Sequence, residues 1–288
     1  SLQNDFVSDD IDGIVKNAEI GKISYLAESP SVFLLYLPRF LIVKTFGITP
    51  WMLRMFNITL HLGTVLVAYF LLSSLADRKV ALLGAMLFAV HPLQTEAVTW
   101  ISGVPYVQCG FFLLLALLLY AYSIRDRRFY WPAFLVFTLG LFSSERAVIF
   151  PLILFLFMLA FEDIRKGWRK LIPFFALDCI WLAIYLSRIG GRIKALEKVS
   201  YQAPQILNPL IQIPIAITSY LELIFWPEKL TLYHSEMSFT YFGYSLRLAV
   251  FLIFLGVIIY SYKKNRFIFF WLSFFLVILL PTLTPLSI

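Results

Sequence analysis

Two adjacent carboxylates, Asp9 and Asp10, stand near the start of a chain that is otherwise almost entirely apolar. Neighbouring carboxylates in a loop offer oxygen ligands to a divalent metal ion, and either one can act as a general base towards a hydroxyl group. The simpler interpretation is a solvated acidic loop. Because the apolar segments that follow are of membrane type, we expect these acids at a bilayer surface, acting on a lipid-borne substrate.

A further acid, Glu96, and a histidine, His91, lie in the apolar run 80–101. If this run is one helix, a rise of about 1.5 Å per residue leaves both side chains in the outer half of the bilayer. Ionisable groups at that depth usually face a cavity or a partner, and Pro92 would kink the helix towards such a cavity. The alternative is a helix that ends at Pro92, with both side chains at the wet interface.

Glu145 and Arg146 join two short apolar runs. The whole stretch 129–161 is shorter than the roughly 40 residues that two full membrane spans need, so we expect the turn to lie below the lipid headgroups. A guanidinium binds phosphate through its planar fork of donors, which suits Arg146 to a lipid phosphate. The alternative is an internal Glu–Arg pair that only closes the turn.

Arg54, Asn57 and His61 recur at helical spacing and therefore share one helix face. This polar stripe either lines the same substrate cavity or makes hydrogen bonds between helices. Asp178 and Glu222 are isolated charges inside apolar runs, and nothing in the sequence connects them to the other motifs.

The elements that must position these residues are membrane helices. The chain of 288 residues is 60% hydrophobic and 14% charged, whereas a soluble domain has about 25% charged residues. About nine apolar runs approach the ~20 residues that cross a bilayer. The runs are 32–46, 57–76, 80–101, 105–123, 129–144, 146–161, 171–187, 208–226 and 246–285, the last long enough for two helices. The sequence therefore predicts an all-α fold, a polytopic transmembrane helical bundle.

The net charge of +7 is distributed over short loops between the apolar runs. The basic clusters are Arg78-Lys79, Arg125/Arg127/Arg128, Arg165/Lys166/Arg169/Lys170 and Lys263/Lys264/Arg266. This is the positive-inside pattern of membrane proteins and argues against a nucleic-acid partner, which would require one basic soluble face. With these loops in the cytosol, the acidic pair, Glu96 and Arg146 are all predicted on the non-cytosolic side.

We expect residues 1–288 to form a single membrane-embedded domain. Within it, 1–50 is predicted to be an external loop with an interfacial helix, and 51–288 the transmembrane helices. The absence of an initial methionine suggests a fragment, which we expect to be truncated at both ends.

Four segments then resemble, in order along the chain, the membrane part of the transmembrane and TPR-containing mannosyltransferases. They are Asn4–Asn17 (NDFVSDDIDGIVKN), Arg54–His61 (RMFNITLH), His91–Gly103 (HPLQTEAVTWISG) and Phe142–Pro151 (FSSERAVIFP). These enzymes, like the protein O-mannosyltransferases, are GT-C glycosyltransferases, so the resemblance implies a GT-C-like fold. Three positions depart from the family's pattern. Val104 and Tyr106 replace an Arg and an Asp, and Ser144 replaces a Lys whose charge Arg146 restores.

The resemblance implies transfer of a mannose-like sugar from a polyprenyl or dolichyl phosphate to a protein Ser/Thr or glycan acceptor. The reaction would take place on the non-cytosolic face of a bacterial inner membrane or the endoplasmic reticulum. The implied catalytic residues are Asp9, Asp10 and Glu96, and the implied lipid-phosphate and substrate ligands are His91, Arg146, Glu145, Asn57, His61 and Arg54. No cofactor is required by the pattern, although Asp9 and Asp10 are the residues that would hold a divalent ion. The alternatives are a transporter or lipid-flippase fragment and a catalytically degenerate member of the family.

Overall fold

The computed structural model describes residues 4–27, 30–197, 209–228 and 240–283 of the chain. These residues form helices joined by short turns, and no strand occurs in any of the four ranges. The α-helices are α1 (Ser24–Ala27), α2 (Phe33–Phe46), α3 (Pro50–Leu75), α4 (Arg78–Val90), α5 (Gln94–Thr99), α6 (Val104–Ser123), α7 (Tyr130–Leu141), α8 (Phe150–Phe161), α9 (Ile164–Gly167), α10 (Ile172–Glu197), α11 (Pro209–Phe225), α12 (Tyr241–Lys264) and α13 (Arg266–Leu279). The predicted all-α class is confirmed.

Five helical segments of the described chain are long and apolar enough to cross a bilayer. They are Pro50–Leu75, Ile101–Ser123, Ile164–Ser187, Tyr241–Lys264 and Arg266–Leu283. A segment of about 20 apolar residues satisfies its own backbone hydrogen bonds inside lipid as a helix, and several such segments define an integral multi-pass membrane protein.

The chain divides into two compact units. Unit 1 comprises the residues up to Phe150 together with Pro173–Tyr185, and unit 2 comprises Pro151–Ile172 together with the described residues from Leu186 onward. Each unit contains candidate membrane spans.

In unit 1, α3 packs against α4 and α6, and α6 packs against α7. Contacts between α3 and α6 advance in the same direction along both helices, so the two run parallel. Asn57 reaches the Trp100 carbonyl just before α6, and a Cβ at Gly63 would lie 3.0 Å from the Phe111 ring further along. The glycine thus permits close approach of the two helices.

In unit 1, this arrangement puts the basic turns at one end of the helices and the segments with the predicted site residues at the other end. The basic turns Arg78-Lys79 and Arg125–Arg128 follow the C-terminal ends of the parallel helices α3 and α6. Because α4 and α7 return antiparallel to α3 and α6, residues 91–106 and 142–146 lie at the other end. A hydrogen bond of 3.0 Å from Leu34 N to Phe142 O also brings the start of α2 there.

The prediction of one kinked helix over 80–101 is wrong. Helix α4 ends at Val90, His91 is extended with φ −64° and ψ 130°, and a separate helix, α5, begins at Gln94. The cause is Pro92, which lacks an N–H for the helix and forces the preceding residue out of the helical region.

The two helices flanking the predicted turn near Glu145 are short. Helices α7 and α8 have 12 residues each, about 18 Å of helix at 1.5 Å per residue. The intervening residues Glu145–Ile149 form a 3₁₀ turn. These lengths agree with the expectation that the stretch is too short for two full spans.

In unit 2, α12 packs against α11 and α13. Arg247 of α12 donates to the carboxylate of Glu222 at 2.7 Å and to the hydroxyl groups of Thr218 and Ser219 on α11, each at 3.2 Å. Glu222, isolated in the sequence, therefore has a partner in the fold.

Candidate functional site

The two adjacent aspartates have different environments. Asp10 is fully buried, with 0% of its surface exposed, whereas Asp9 is exposed. Oδ1 of Asp10 accepts hydrogen bonds from the backbone N–H of Ser102 at 2.8 Å and from its hydroxyl at 2.6 Å. Oδ2 accepts from Val7 N at 3.3 Å. A buried carboxylate needs such donors, so Asp10 serves as the anchor and leaves Asp9 open to solvent.

Backbone geometry beside the pair is unusual. Ser8, directly before Asp9, has φ of +49°, in the left-handed region that non-glycine residues seldom adopt. Such a conformation costs roughly 1–2 kcal/mol and persists only where neighbouring contacts hold it. The turn places the side chains of Asp9 and Asp10 in solvent and in the interior, respectively.

Arg54 ties this acidic segment to the rest of unit 1. The side chain is 2% exposed, and its guanidinium donates to three backbone carbonyls. Nε reaches Thr99 O at 3.0 Å, Nη2 reaches Asp5 O at 2.6 Å, and Nη1 donates to Asn4 O. A rigid planar fork with five donors is suited to such a three-way clamp.

An apolar cluster underlies the same segment. Its buried members come from the N-terminal segment, α1, α2, α3 and the 3₁₀ turn after α5: Ile14, Ile20, Tyr25, Phe40, Val43, Leu53 and Ile101. Burial of each large side chain stabilises the fold by about 1.5–3 kcal/mol, and here it fixes the acidic segment against the helices.

Asn57 and His61 connect α3 to the ends of neighbouring helices. Asn57 Nδ2 donates to Trp100 O at 3.0 Å, and His61 Nε2 lies 3.1 Å from Ala89 O. Since a carbonyl only accepts, the proton of His61 resides on Nε2. Carbonyls near a helix C-terminus have no partner within the helix, so α3 supplies donors to the ends of α4 and α5. The polar stripe makes the interhelical hydrogen bonds that the sequence allowed.

Asn57 also borders a small cavity. Apolar side chains of α2, α3 and α6 form most of its wall, and Arg39 is the charged group. The cavity volume is about 10 Å³, roughly the room for one water molecule and far below the ~300–1,000 Å³ of typical ligand pockets. Asn57 Oδ1 is buried and accepts no hydrogen bond from the part of the chain that the structure describes, so it is available to a bound donor.

His91 and Glu96 lie in the segment between α4 and α6. His91 is partly exposed, and its Nδ1 accepts from Leu93 N at 3.3 Å across the break in the helix. Glu96 is exposed in the first turn of α5. Further along the same segment, Ser102 donates hydrogen bonds to Asp10. The segment that carries Glu96 is therefore also the one that binds the acidic pair.

Arg146 is half-buried over an aromatic ring. Its guanidinium carbon lies 4.4 Å from the ring centroid of Tyr106, in the first turns of α6. Tyr106 is one of the three positions at which the sequence departs from the mannosyltransferase pattern that it resembles. It contacts Arg146, the residue expected to restore the charge lost at Ser144. Glu145 is exposed, and Ser144 caps the 3₁₀ turn by accepting from Arg146 N at 3.3 Å. In the described chain neither Glu145 nor Glu96 makes an ion pair.

The arrangement around Asp9 does not form a ready metal centre. In the described ranges no three His, Cys, Asp or Glu side chains are grouped to hold an ion. Both oxygens of Asp10 already accept protein donors, two at Oδ1 and one at Oδ2, so few of its lone pairs are open to a divalent ion shared with Asp9.

Ser102 is the site residue that sequence reasoning missed. It lies inside the quoted segment His91–Gly103, but a serine in a helix-flanking turn has no distinctive pattern. Its role follows only from the contact with Asp10 across 92 residues of sequence.

The comparisons with known proteins give one partial similarity to a mannosyltransferase. Protein O-mannosyl-transferase TMTC2 of Mus musculus is 37% identical over 75 residues, which are 26% of this chain and 9% of the mouse protein. The aligned stretch thus spans less than a tenth of that relative's length. No family model matches the chain, and no solved structure matches it.

Proposed function

We propose that this chain is a glycosyltransferase that transfers a mannose-like sugar from a polyprenyl or dolichyl phosphate to an acceptor hydroxyl. The observation that carries the proposal is the exposed Asp9 held beside a buried Asp10 that accepts hydrogen bonds through both of its oxygens. The partial similarity to a mouse O-mannosyl-transferase supports the reaction class.

In the proposed reaction, Asp9 removes the proton of the acceptor hydroxyl. The acceptor oxygen forms a bond to the anomeric carbon while the bond from that carbon to the phosphate oxygen breaks, with inversion. The electron pair leaves with the lipid phosphate. A general base of this kind contributes typically 10²–10⁴-fold to the rate.

Arg146 is proposed to neutralise the leaving phosphate, and His91 and Glu145 are proposed to bind other polar groups of the lipid-linked sugar. A fixed cation near developing negative charge is usually a large catalytic contribution, because it needs no reorganisation during the reaction. The Tyr106 ring holds the guanidinium from one side and leaves its edge for a phosphate. Glu96 is proposed to orient the acceptor.

Arg54, Asn57 and His61 are proposed to act on the substrate mainly through the backbone that they hold. Arg54 and His61 direct nitrogen donors to carbonyls. The Oδ1 of Asn57 is proposed to accept a hydrogen bond from a substrate hydroxyl.

The separation of charge in unit 1 supports a non-cytosolic site. Under the positive-inside rule the turns at Arg78-Lys79 and Arg125–Arg128 face the cytosol, and the acidic segment lies at the opposite end. We propose that the acceptor, a protein Ser/Thr or a glycan, reaches the site from that side, and that residues 1–288 function as one membrane-embedded catalytic domain.

Membranes containing the chain, incubated with isotopically labelled polyprenyl-phosphate mannose and acceptor peptides, test the proposal directly. Mass spectrometry should detect the labelled sugar covalently attached to an acceptor hydroxyl. Labelled lipid that crosses the membrane without any covalent product would identify a flippase instead. Labelled lipid that is neither moved nor consumed would identify a degenerate member.

A further inference from the structure

Unit 2 carries a strongly basic surface at one of its ends. Two loops contribute to it: the segment between α8 and α10, and the turn between α12 and α13. The basic surface is defined by Arg165, Lys166, Arg169, Lys170, Lys263, Lys264 and Arg266.

Contacts within unit 2 bring these two loops together. Arg266 Nη1 donates to the Leu159 carbonyl at 3.3 Å, close to the end of α8. Phe161 and Phe270 pack with ring centroids 5.4 Å apart. The seven cations are therefore neighbours in the fold, although about a hundred residues separate the two loops.

Few acids neutralise this surface. Glu162 pairs with Lys170 at 2.7 Å, and Asp163 lies 3.8 Å from Lys166. Seven basic against these two acidic side chains leave an excess of five positive charges. Across the described chain, the remaining five cations have no carboxylate within ion-pair distance, and all five are exposed: Arg165, Arg169, Lys263, Lys264 and Arg266.

The surface lies where candidate membrane spans begin and end. Ile164–Ser187 starts within it, Tyr241–Lys264 ends in it, and Arg266–Leu283 starts there. Trp168, 51% exposed between the two basic pairs of the first loop, is the residue type that favours the headgroup level. The cations are thus at the height of the lipid headgroups, and the five exposed cations without a carboxylate partner can bind an anionic group there.

We propose that this basic surface binds anionic phospholipid headgroups of the adjoining, cytosolic leaflet. Clusters of four to eight Lys and Arg residues next to a membrane span attract anionic lipids. The basic end of unit 1 serves as the comparison. It has five cations, Arg78, Lys79, Arg125, Arg127 and Arg128, beside Asp77 and Asp126, and so a smaller excess. This proposal does not depend on the proposed glycosyl transfer.

The test is titration of the purified chain, in neutral detergent, with fluorescent phosphatidylglycerol and, separately, fluorescent phosphatidylcholine. The triple variant R165Q/K263Q/K264Q removes three exposed cations from the basic surface. The matched control R78Q/R125Q/R127Q removes three exposed cations from the basic end of unit 1. Size-exclusion chromatography and thermal unfolding establish that both variants are folded.

We expect phosphatidylglycerol to bind more tightly than phosphatidylcholine, and added salt to weaken this binding. The triple variant should lose about tenfold or more in affinity, whereas the control should change by less than about threefold. Equal binding of both lipids, or an equal loss in the two variants, would overturn the proposal.

Discussion

The hydroxyl of Ser102 donates to the carboxylate of Asp10 at 2.6 Å, and the backbone N–H of the same serine donates to the same oxygen at 2.8 Å. These two bonds join the acidic segment to the turn between α5 and α6. They also accompany different environments for two adjacent aspartates, since Asp10 is buried at the contact and Asp9 is exposed.

Replacing Ser102 with Ala should destabilise unit 1. The variant loses the hydroxyl donor but keeps the N–H donor, and a hydrogen bond to a charged group is worth about 1.5–3 kcal/mol. We expect a loss of about 1.5 kcal/mol in the free energy of unfolding, measured by denaturant unfolding in detergent. Ser74→Ala is the control, because the Ser74 hydroxyl donates to Leu71 O within its own helix. An unchanged stability of Ser102→Ala would show that the contact contributes nothing.

Replacing Gly103 with Ala should disturb the same turn by steric overlap. A Cβ at Gly103 would lie 2.7 Å from the carbonyl oxygen of Ala97, a backbone atom that cannot move aside easily. We expect a loss of about 1–3 kcal/mol. Gly110→Ala in α6 is the matched control, since a Cβ there meets nothing within 4 Å. That control should be neutral or stabilising, and thermal unfolding of the two variants compares them.

Replacing Arg54 with Lys should release the acidic segment although it keeps the charge. Lysine has no planar fork and cannot reach the carbonyls of Asn4, Asp5 and Thr99 together. Hydrogen exchange followed by mass spectrometry should show faster exchange in residues 4–12. Arg125→Lys, at an exposed position, should leave exchange there unchanged. Equal exchange in the Arg54 variant would contradict the clamp.

Replacing Arg146 with Ala should weaken binding of the lipid-phosphate donor. If the guanidinium contacts the phosphate, its loss should raise the donor KM and lower kcat, together about 10²-fold in kcat/KM. Arg146→Lys should recover part of this loss, because it restores the charge without the fork. Arg128→Ala removes an exposed cation from the basic end and should have no effect on transfer. Wild-type kinetics in Arg146→Ala would exclude the phosphate role.

The helices of this chain could be predicted from the sequence because apolar runs of membrane length admit few other structures. The observed bounds of α2, α6 and α11 fall within a residue or two of the runs 32–46, 105–123 and 208–226. The interruption at Pro92 was harder to predict from the sequence, because a proline either kinks a membrane helix or ends it. Which outcome occurs depends on donors such as His61, whose Nε2 binds Ala89 O beside the break.

The sequence indicated the residue types of the candidate site, but not which of its side chains are buried and which are exposed. Asp9 and Asp10 have the same side chain and adjoin in sequence, so only the distant Ser102 distinguishes them. Likewise, the stacking of Arg146 on Tyr106 depends on packing between two helices, which no local pattern records.

The central claim is that the exposed Asp9 is the base, and the most direct measurement compares the rates of sugar transfer by Asp9→Asn and Asp12→Asn. Asp12 is the matched control, because it belongs to the same segment, its side chain is 80% exposed, and among the described residues its ion-pair partner is Lys16. We predict that Asp9→Asn lowers kcat about 10²–10⁴-fold with the donor KM little changed, and that Asp12→Asn transfers sugar at the wild-type rate. Undiminished transfer by a folded Asp9→Asn variant would contradict the account.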